Sequence, residues 1–328
     1  MRLFRHATIS FMLLAAPALA EEASFERFPF GMEAGTYRDL IVASDSDSDT
    51  DVGDTRNMRL VFPSVTVERA SGDRVALQPG EERRVVVQTG AGRGGYETTA
   101  NLYLADRPLV LTRRDGRVEM KATLESIAIP LLDNRDAAFG TVAFPGEGLG
   151  IAISWPTRAA PTLQTVDMVL GGAGMQVDAR LLSVPGAAAP RMEIGAVELR
   201  GRAVLRLTDD PAGMADILAS VERIEIDRSR AALLGGGVAA SGVARVSPGA
   251  DAPLTDLNGT LALGNFSTMI QRAMAARLMA PEQLMPLALL AGGLGTLTPD
   301  GTLTFDIETT ADGDVIVNDR PTAFRLRE

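Results

Sequence analysis

From Arg59 onward the chain alternates apolar and polar residues with a period of two, and that rhythm limits what it is able to fold into. Val118, Met120, Ala122 and Leu124 take one side of a stretch whose other side is Glu119, Lys121 and Thr123. Between Val197 and Leu207 the pattern recurs: Val197, Leu199, Gly201, Ala203, Leu205 and Leu207 on one face, Glu198, Arg200, Arg202 and Arg206 on the other. A strand points successive side chains to opposite faces, so this is the signature of antiparallel sheet with one dry and one wet face. Turn pairs separate the runs at Gly72 and Asp73, Asp115 and Gly116, Asp300 and Gly301, and Asp312 and Gly313. Asp-Gly between alternating segments favours hairpins, because glycine accepts the positive φ of tight turns. The expected fold is mainly β: long curled antiparallel sheet with a few short helices.

Two stretches leave this rhythm. Residues 210–220 open with Asp210 and Pro211 and lead into Met214, Ile217, Leu218 and Val221 at helical spacing, which predicts a short helix. The main helical pair is expected near 265–293. Phe266, Met269, Ile270, Ala273 and Met274 share a face opposite Gln271 and Arg272, and Pro281 before Glu282 and Gln283 suits the first turn of a second helix. Gly292 and Gly293 end it. Phe266, Met269, Ile270 and Met274 are the candidate ligand-binding residues, as a lid over the sheet; the competing reading makes the same stripe core packing, which is the commoner use of methionine-rich faces.

Residues 1–20 have the layout of a cleaved secretory signal. Arg2, Arg5 and His6 precede an apolar run, and Ala18, Leu19 and Ala20 provide the small-residue end. The expected organisation is a leader at 1–20, an acidic segment at 21–57, a β domain at 58–210 and a second β domain with capping helices at 211–328. The last two are open to being one continuous sheet. Of 32 basic residues Arg2 and Arg5 fall in the leader, so 30 against 42 acids give the exported chain −12. Such a charge repels nucleic acid and anionic surfaces. No stretch after the leader is long and apolar enough for a transmembrane helix; Leu284 to Leu294 is short and interrupted by Pro286.

Cysteine is absent and the one histidine, His6, lies in the leader. Without imidazole or thiol, Ser-His-Asp and Cys-His machinery and zinc sites built on His or Cys are excluded. The one lysine, Lys121, has no Ser-x-x-Lys before it. Carboxylates, Tyr, Arg and Ser remain, so a glycosidase-like carboxylate pair stays an alternative, although sugar clefts use aromatic platforms and Trp155 is the single tryptophan. No catalytic residue stands out and no cofactor is implied. The alternating Asp45, Asp47, Asp49 and Asp51 invite a calcium reading, but counting from Asp45 puts Thr50 where an EF-hand loop needs glycine and Arg56 where it needs a bidentate Glu. An acidic solvated linker is the plainer reading. A partial echo joins Leu199, Arg200 and Gly201 to Leu257, Asn258 and Gly259, at an offset of 58 positions. Duplication and chance both account for it.

Residues 221–318 resemble a bacterial envelope family, domain of unknown function 2125. The likeness rests on a strand pair around Ile224, Glu225 and Ile226 and around Gly242, Val243 and Ala244, then Gly264, Asn265 and Phe266, and Pro281, Glu282 and Gln283. It continues through Gly293, Asp306, Ile307 and Glu308, Asp312 to Val315, and Asn318. Asp319 stands where that family shows glycine. The resemblance implies an envelope location and carries over no functional residue. The glycine-punctuated strands are also similar to AsmA-like envelope proteins, whose sheets curl into apolar grooves for lipid. The functional expectation is therefore a non-enzymatic periplasmic β protein that binds lipid or an envelope partner, with a carboxylate hydrolase or a structural, adhesive β module as alternatives.

Overall fold

The computed structural model describes residues 29–43, 58–90, 96–131, 139–156, 164–178, 181, 191–205, 221–246, 254–275, 289 and 291–326. They form one large antiparallel sheet in which each row lies between the row before it and the row after it in sequence.

Strand β1 (Gly35–Ala43) pairs along its length with β2 (Met58–Ser71). The next row is broken into β3 (Arg74–Pro79) and β4 (Arg84–Gly90), which take successive parts of β2. The row after it is broken at the matching place: β5 (Tyr96–Leu104) lies on β4 and β6 (Leu109–Arg114) on β3. Unbroken β7 (Arg117–Pro130) then spans both. Its far edge carries β8 (Phe139–Ala143) and β9 (Leu149–Pro156), and against these lie β11 (Met175–Asp178) and β10 (Gln164–Gly172). Long β12 (Arg191–Leu205) covers β10 and β11 together, and β13 (Val221–Leu233), β14 (Gly236–Val246) and β15 (Leu254–Gly264) follow in order. Helix α1 (Phe266–Ala275) leaves the sheet. The chain returns through β16 (Thr296–Leu297) and β17 (Leu303–Thr309), and ends with β18 (Asp314–Val317) and β19 (Arg320–Arg325).

The breaks are excursions that keep their backbone bonds. At the β3–β4 break, Gly80 N–H donates to Ser64 O at 2.9 Å and Leu104 N–H to Arg83 O at 2.7 Å. At the β5–β6 break, Ala105 N–H donates to Thr123 O at 2.9 Å, and at the β8–β9 break Phe144 N–H donates to Glu125 O at 2.8 Å. Bulges of this kind add twist without leaving polar groups dry.

One face of the sheet holds the core. Leu60, Phe62, Val65 and Val67 of β2 share it with Val75, Leu77, Leu102, Met120, Leu124, Ile151 and Ile153, none more than 7% exposed. Strands flank these residues in sequence and in space, so only the sheet itself is there to bury them, and it curls over its own apolar face. Alternation and all four expected turns are as the sequence indicates: Asp115 and Gly116 both take positive φ (51° and 71°), as a type I′ hairpin demands.

Within the acidic segment at 21–57, Gly35–Ala43 is β1 of the sheet. The β12–β13 pairing crosses position 210, so strands of 58–210 and 211–328 lie in one sheet. The leader at 1–20, the acidic run from Asp45 to Asp54, the helix at 210–220 and the helix start at Pro281 lie outside the described residues. Among the described residues, no helix is long and apolar enough to cross a membrane.

Candidate functional site

The apolar face does not stop where the sealed core stops. Residues paired across antiparallel strands share a face, which lets one row be followed from strand to strand. It runs Met120, Ile153, Met168, Gly201, Ile226, Gly242, Gly259, Ile307, Val317 across β7, β9, β10, β12, β13, β14, β15, β17 and β18. A second row is Leu170, Leu199, Ser229, Ala240, Leu261, Phe305, and a third begins Val197, Ala231, Val238, Leu263. Up to β9 these positions are buried. On β13, β14 and β15, Ile224, Ile226, Val238, Ala240, Ala244, Leu257, Leu261 and Leu263 are all half-exposed. A small second core, Phe305, Val315 and Val317 with Leu294 and Leu303 packed on it, begins beyond them. Between two cores lies a stretch of sheet with an apolar floor that no described residue seals.

Glycines let neighbouring backbone come close along that floor. A Cβ on Gly201 would stand 2.7 Å from Glu225 O, and one on Gly242 2.5 Å from Asn258 O. Both would point toward the apolar side, so neighbouring backbone has bent into the space a side chain needs. Bulges between Ile226 and Ser229 and between Arg200 and Gly201 bend it further. Of the echo between Leu199–Gly201 and Leu257–Gly259, the sheet brings only Gly201 and Gly259 into one row; Leu199 stands in the row of Leu261 and Leu257 in that of Ala203.

The opposite face is charged. Arg117 and Arg202 both bind Asp167, at 2.9 and 2.7 Å, tying β7 to β10 and β12. Arg117 Nε also donates to Ser154 Oγ at 2.9 Å. The hydrogen bond to Asp167, then its charge, raises the Arg202 pKa above its ordinary value. Arg228 pairs with Glu198, Arg223 with Glu225 and Arg245 with Asp256. These pairs are solvated, and each contributes little to stability. The paired positions of the open floor carry no carboxylate; Ser229 and Thr309 supply its polar atoms. Among the described residues, no group of three acids or other ligands is placed to hold a metal. Asp45, Asp47, Asp49 and Asp51 are outside those residues.

Of the four residues expected to form a lid, Met269 is buried, Phe266 and Ile270 are half-buried, and Met274 is 45% exposed. They do not lie along the apolar floor. Helix α1 sits at its end, over the hairpin joining β13 to β14: a Cβ on Gly236 would come within 2.3 Å of Met269 Cγ, and one on Gly235 within 2.6 Å of Arg272 Nη1. The stripe therefore closes one end of the apolar face. Its signal was visible in sequence; its docking place depended on two glycines over thirty residues away.

On the far side, Asn318 secures the second core. Its Nδ2 donates to Leu294 O at 2.7 Å and Thr304 O at 2.9 Å, while its Oδ1 accepts from Asp306 N–H at 2.7 Å. Asn318 and Asp319 both take positive φ (48° and 61°), so this turn is type I′ without glycine.

The chain matches no protein-family model, no curated protein sequence and no solved structure.

Proposed function

We propose that this is a non-enzymatic exported protein of the bacterial envelope that holds the apolar part of a lipid on the open floor of β13, β14 and β15. The observation that carries this reading is the continuation of one apolar face from a sealed core into a half-exposed stretch of Gly, Ala, Val, Ile and Leu. An apolar area of that kind is stabilised by a partner that removes it from water. Small residues leave room above the sheet for an acyl chain, whereas a surface meant for self-packing is usually filled. The charge-apolar-small layout of residues 1–20 supports a periplasmic site of action, and the resemblance of residues 221–318 to an envelope family points the same way.

Native mass spectrometry of the exported protein, followed by solvent extraction, tests this directly. Lipid is expected to co-purify. Ala240→Phe places a ring on the floor, opposite Ser229 and Leu261; it is expected to leave the fold intact and abolish the bound lipid. An apo protein that also takes up no phospholipid when mixed with vesicles would sink the reading.

A further inference from the structure

The outer, polar face of the sheet carries a second feature, remote from the open floor. A cleft of about 570 Å³ lies over β3, β6 and β7, lined by Arg74, Arg107, Lys121, Thr112 and Thr123 together with Pro108, Val110 and Ala122. Arg74 is paired across the strands with Thr112, and Lys121 with Val110, so the two cations flank β6 from either side. Arg107 comes from the excursion between β5 and β6, which is fixed rather than loose. Ala105 N–H donates to Thr123 O at 2.9 Å, and Arg107 N–H to Ala105 O at 2.6 Å, closing a three-residue turn that directs the chain back over β7.

The charges are unusual for this molecule. The chain carries −10 overall and only one lysine, which is Lys121. Elsewhere on the outer face Arg83, Arg84, Arg117, Arg202, Arg223, Arg228 and Arg245 each have an acid partner. Arg74 and Arg107 make no ion pair with a described acid, and Lys121 shares its charge with Glu119 at 3.0 Å. Two of the three cations lack an acid partner, and Glu119, beside Lys121 and paired across the strands with Thr112, offsets only part of the charge, so a bound anion lowers the repulsion that remains. A carboxylate offers two oxygens in one plane. A phosphate directs its terminal oxygens tetrahedrally, two in a diester and three in a monoester, which suits cations on several sides with two threonine hydroxyls. The cleft is of the size that takes a small organic molecule, and Pro108 and Val110 give it an apolar wall.

We propose that the cleft walled by Arg74, Arg107 and Lys121 binds a phosphate-bearing small molecule or headgroup. This is independent of the lipid reading, because the cleft lies on the opposite face of the sheet from the apolar floor.

The full exported chain is titrated calorimetrically with inorganic phosphate, with glycerol 3-phosphate, and with vesicles of phosphatidylglycerol against vesicles of phosphatidylcholine. Binding of at least one phosphate probe is expected, falling with added salt. The double variant Arg74→Gln, Arg107→Gln alters two exposed side chains and is expected to keep the native melting temperature. It weakens binding by about tenfold or more, the effect of losing one or two charged hydrogen bonds. Glycerol phosphate without vesicle binding assigns a soluble ligand; vesicle binding confined to phosphatidylglycerol assigns a headgroup. No binding in any arm, or binding that the double variant leaves unchanged, overturns the proposal.

Discussion

The two halves of the sheet use the same strand rhythm to opposite ends. In β2 through β9 the apolar face is built from Leu, Val, Ile and Phe; Ile153 is 1% exposed and Leu124 1%. In β12 through β15 the same face, in the same rows, alternates bulky residues with Gly201, Gly242, Gly259, Ala240 and Ala244, and Ile226 is half-exposed. A period of two makes a sheet one-sided; side-chain volume then decides whether that side fills itself or stays open. Ile153 and Ile226 stand in one row, two strands apart from Gly201 or less, yet only one of them has neighbours on all sides.

The largest test of that contrast is a pair of substitutions. Ile153→Ala is expected to cost roughly 2–5 kcal/mol, as removal of a fully packed aliphatic group does. Ile226→Ala should cost under about 1 kcal/mol, because little buried area is lost there. Equal losses in denaturant unfolding would show that the second half is sealed like the first. Next in size is Asn318→Ala, which deletes three side-chain bonds to backbone at the border of the open floor. A loss of about 1–3 kcal/mol is expected from thermal melts, with faster amide exchange at Asp306. An unchanged exchange pattern would mean that Asn318 does not hold the second core.

A smaller effect, of opposite sign, is expected at the β13–β14 hairpin. Leu234 holds a φ of 51°, a conformation a leucine seldom adopts, while Gly235 follows at 78°. Leu234→Asn supplies the residue that type I′ turns favour and should raise stability by about 0.5–1 kcal/mol. Destabilisation instead would show that the Leu234 side chain is needed where α1 docks. The smallest test is a titration. Hydrogen bonds from Thr298, then Thr302, hold the Asp300 carboxyl below its ordinary value of 3.8. A depressed folded pKa contributes stability that is present above 3.8 and lost as pH falls through the lower folded value. Asp300 should therefore titrate below 3.8 by NMR, and closer to 3.8 once Thr298 is replaced by Val.

Much of this architecture is legible in the residues. Period-two stretches such as Val118–Leu124 mark strands and their faces, and the four glycine-containing turns fall where expected. The broken rows are not legible: the excursions at Gly80 and Ala105 match only because neighbouring strands share them, a constraint set between segments. The β13–β14 turn was missed because Leu234 is a poor turn residue and the demand comes from strand twist. The apolar stripe at Phe266, Met269, Ile270 and Met274 was visible, but helix periodicity gives a face and no destination. The cleft of Arg74, Arg107 and Lys121 had no sequence signal at all, since three rows of sheet bring those residues together.

The order of the rows has a consequence for how the chain comes to be folded. Every row is laid beside the row synthesised just before it, so the longest wait for a partner is the length of a broken row, as when β6 pairs with β3 and β11 with β8, and no crossover must be threaded. A chain delivered N-terminus first has the larger part of the sealed core once β9 has emerged, Leu170 and Val177 joining it from the next row, and β9 then offers β10 a formed edge on which to zip. Folding by addition to an existing edge keeps loop-closure entropy small at each step. It also means that the open half is always the last to form, on a template that is already stable.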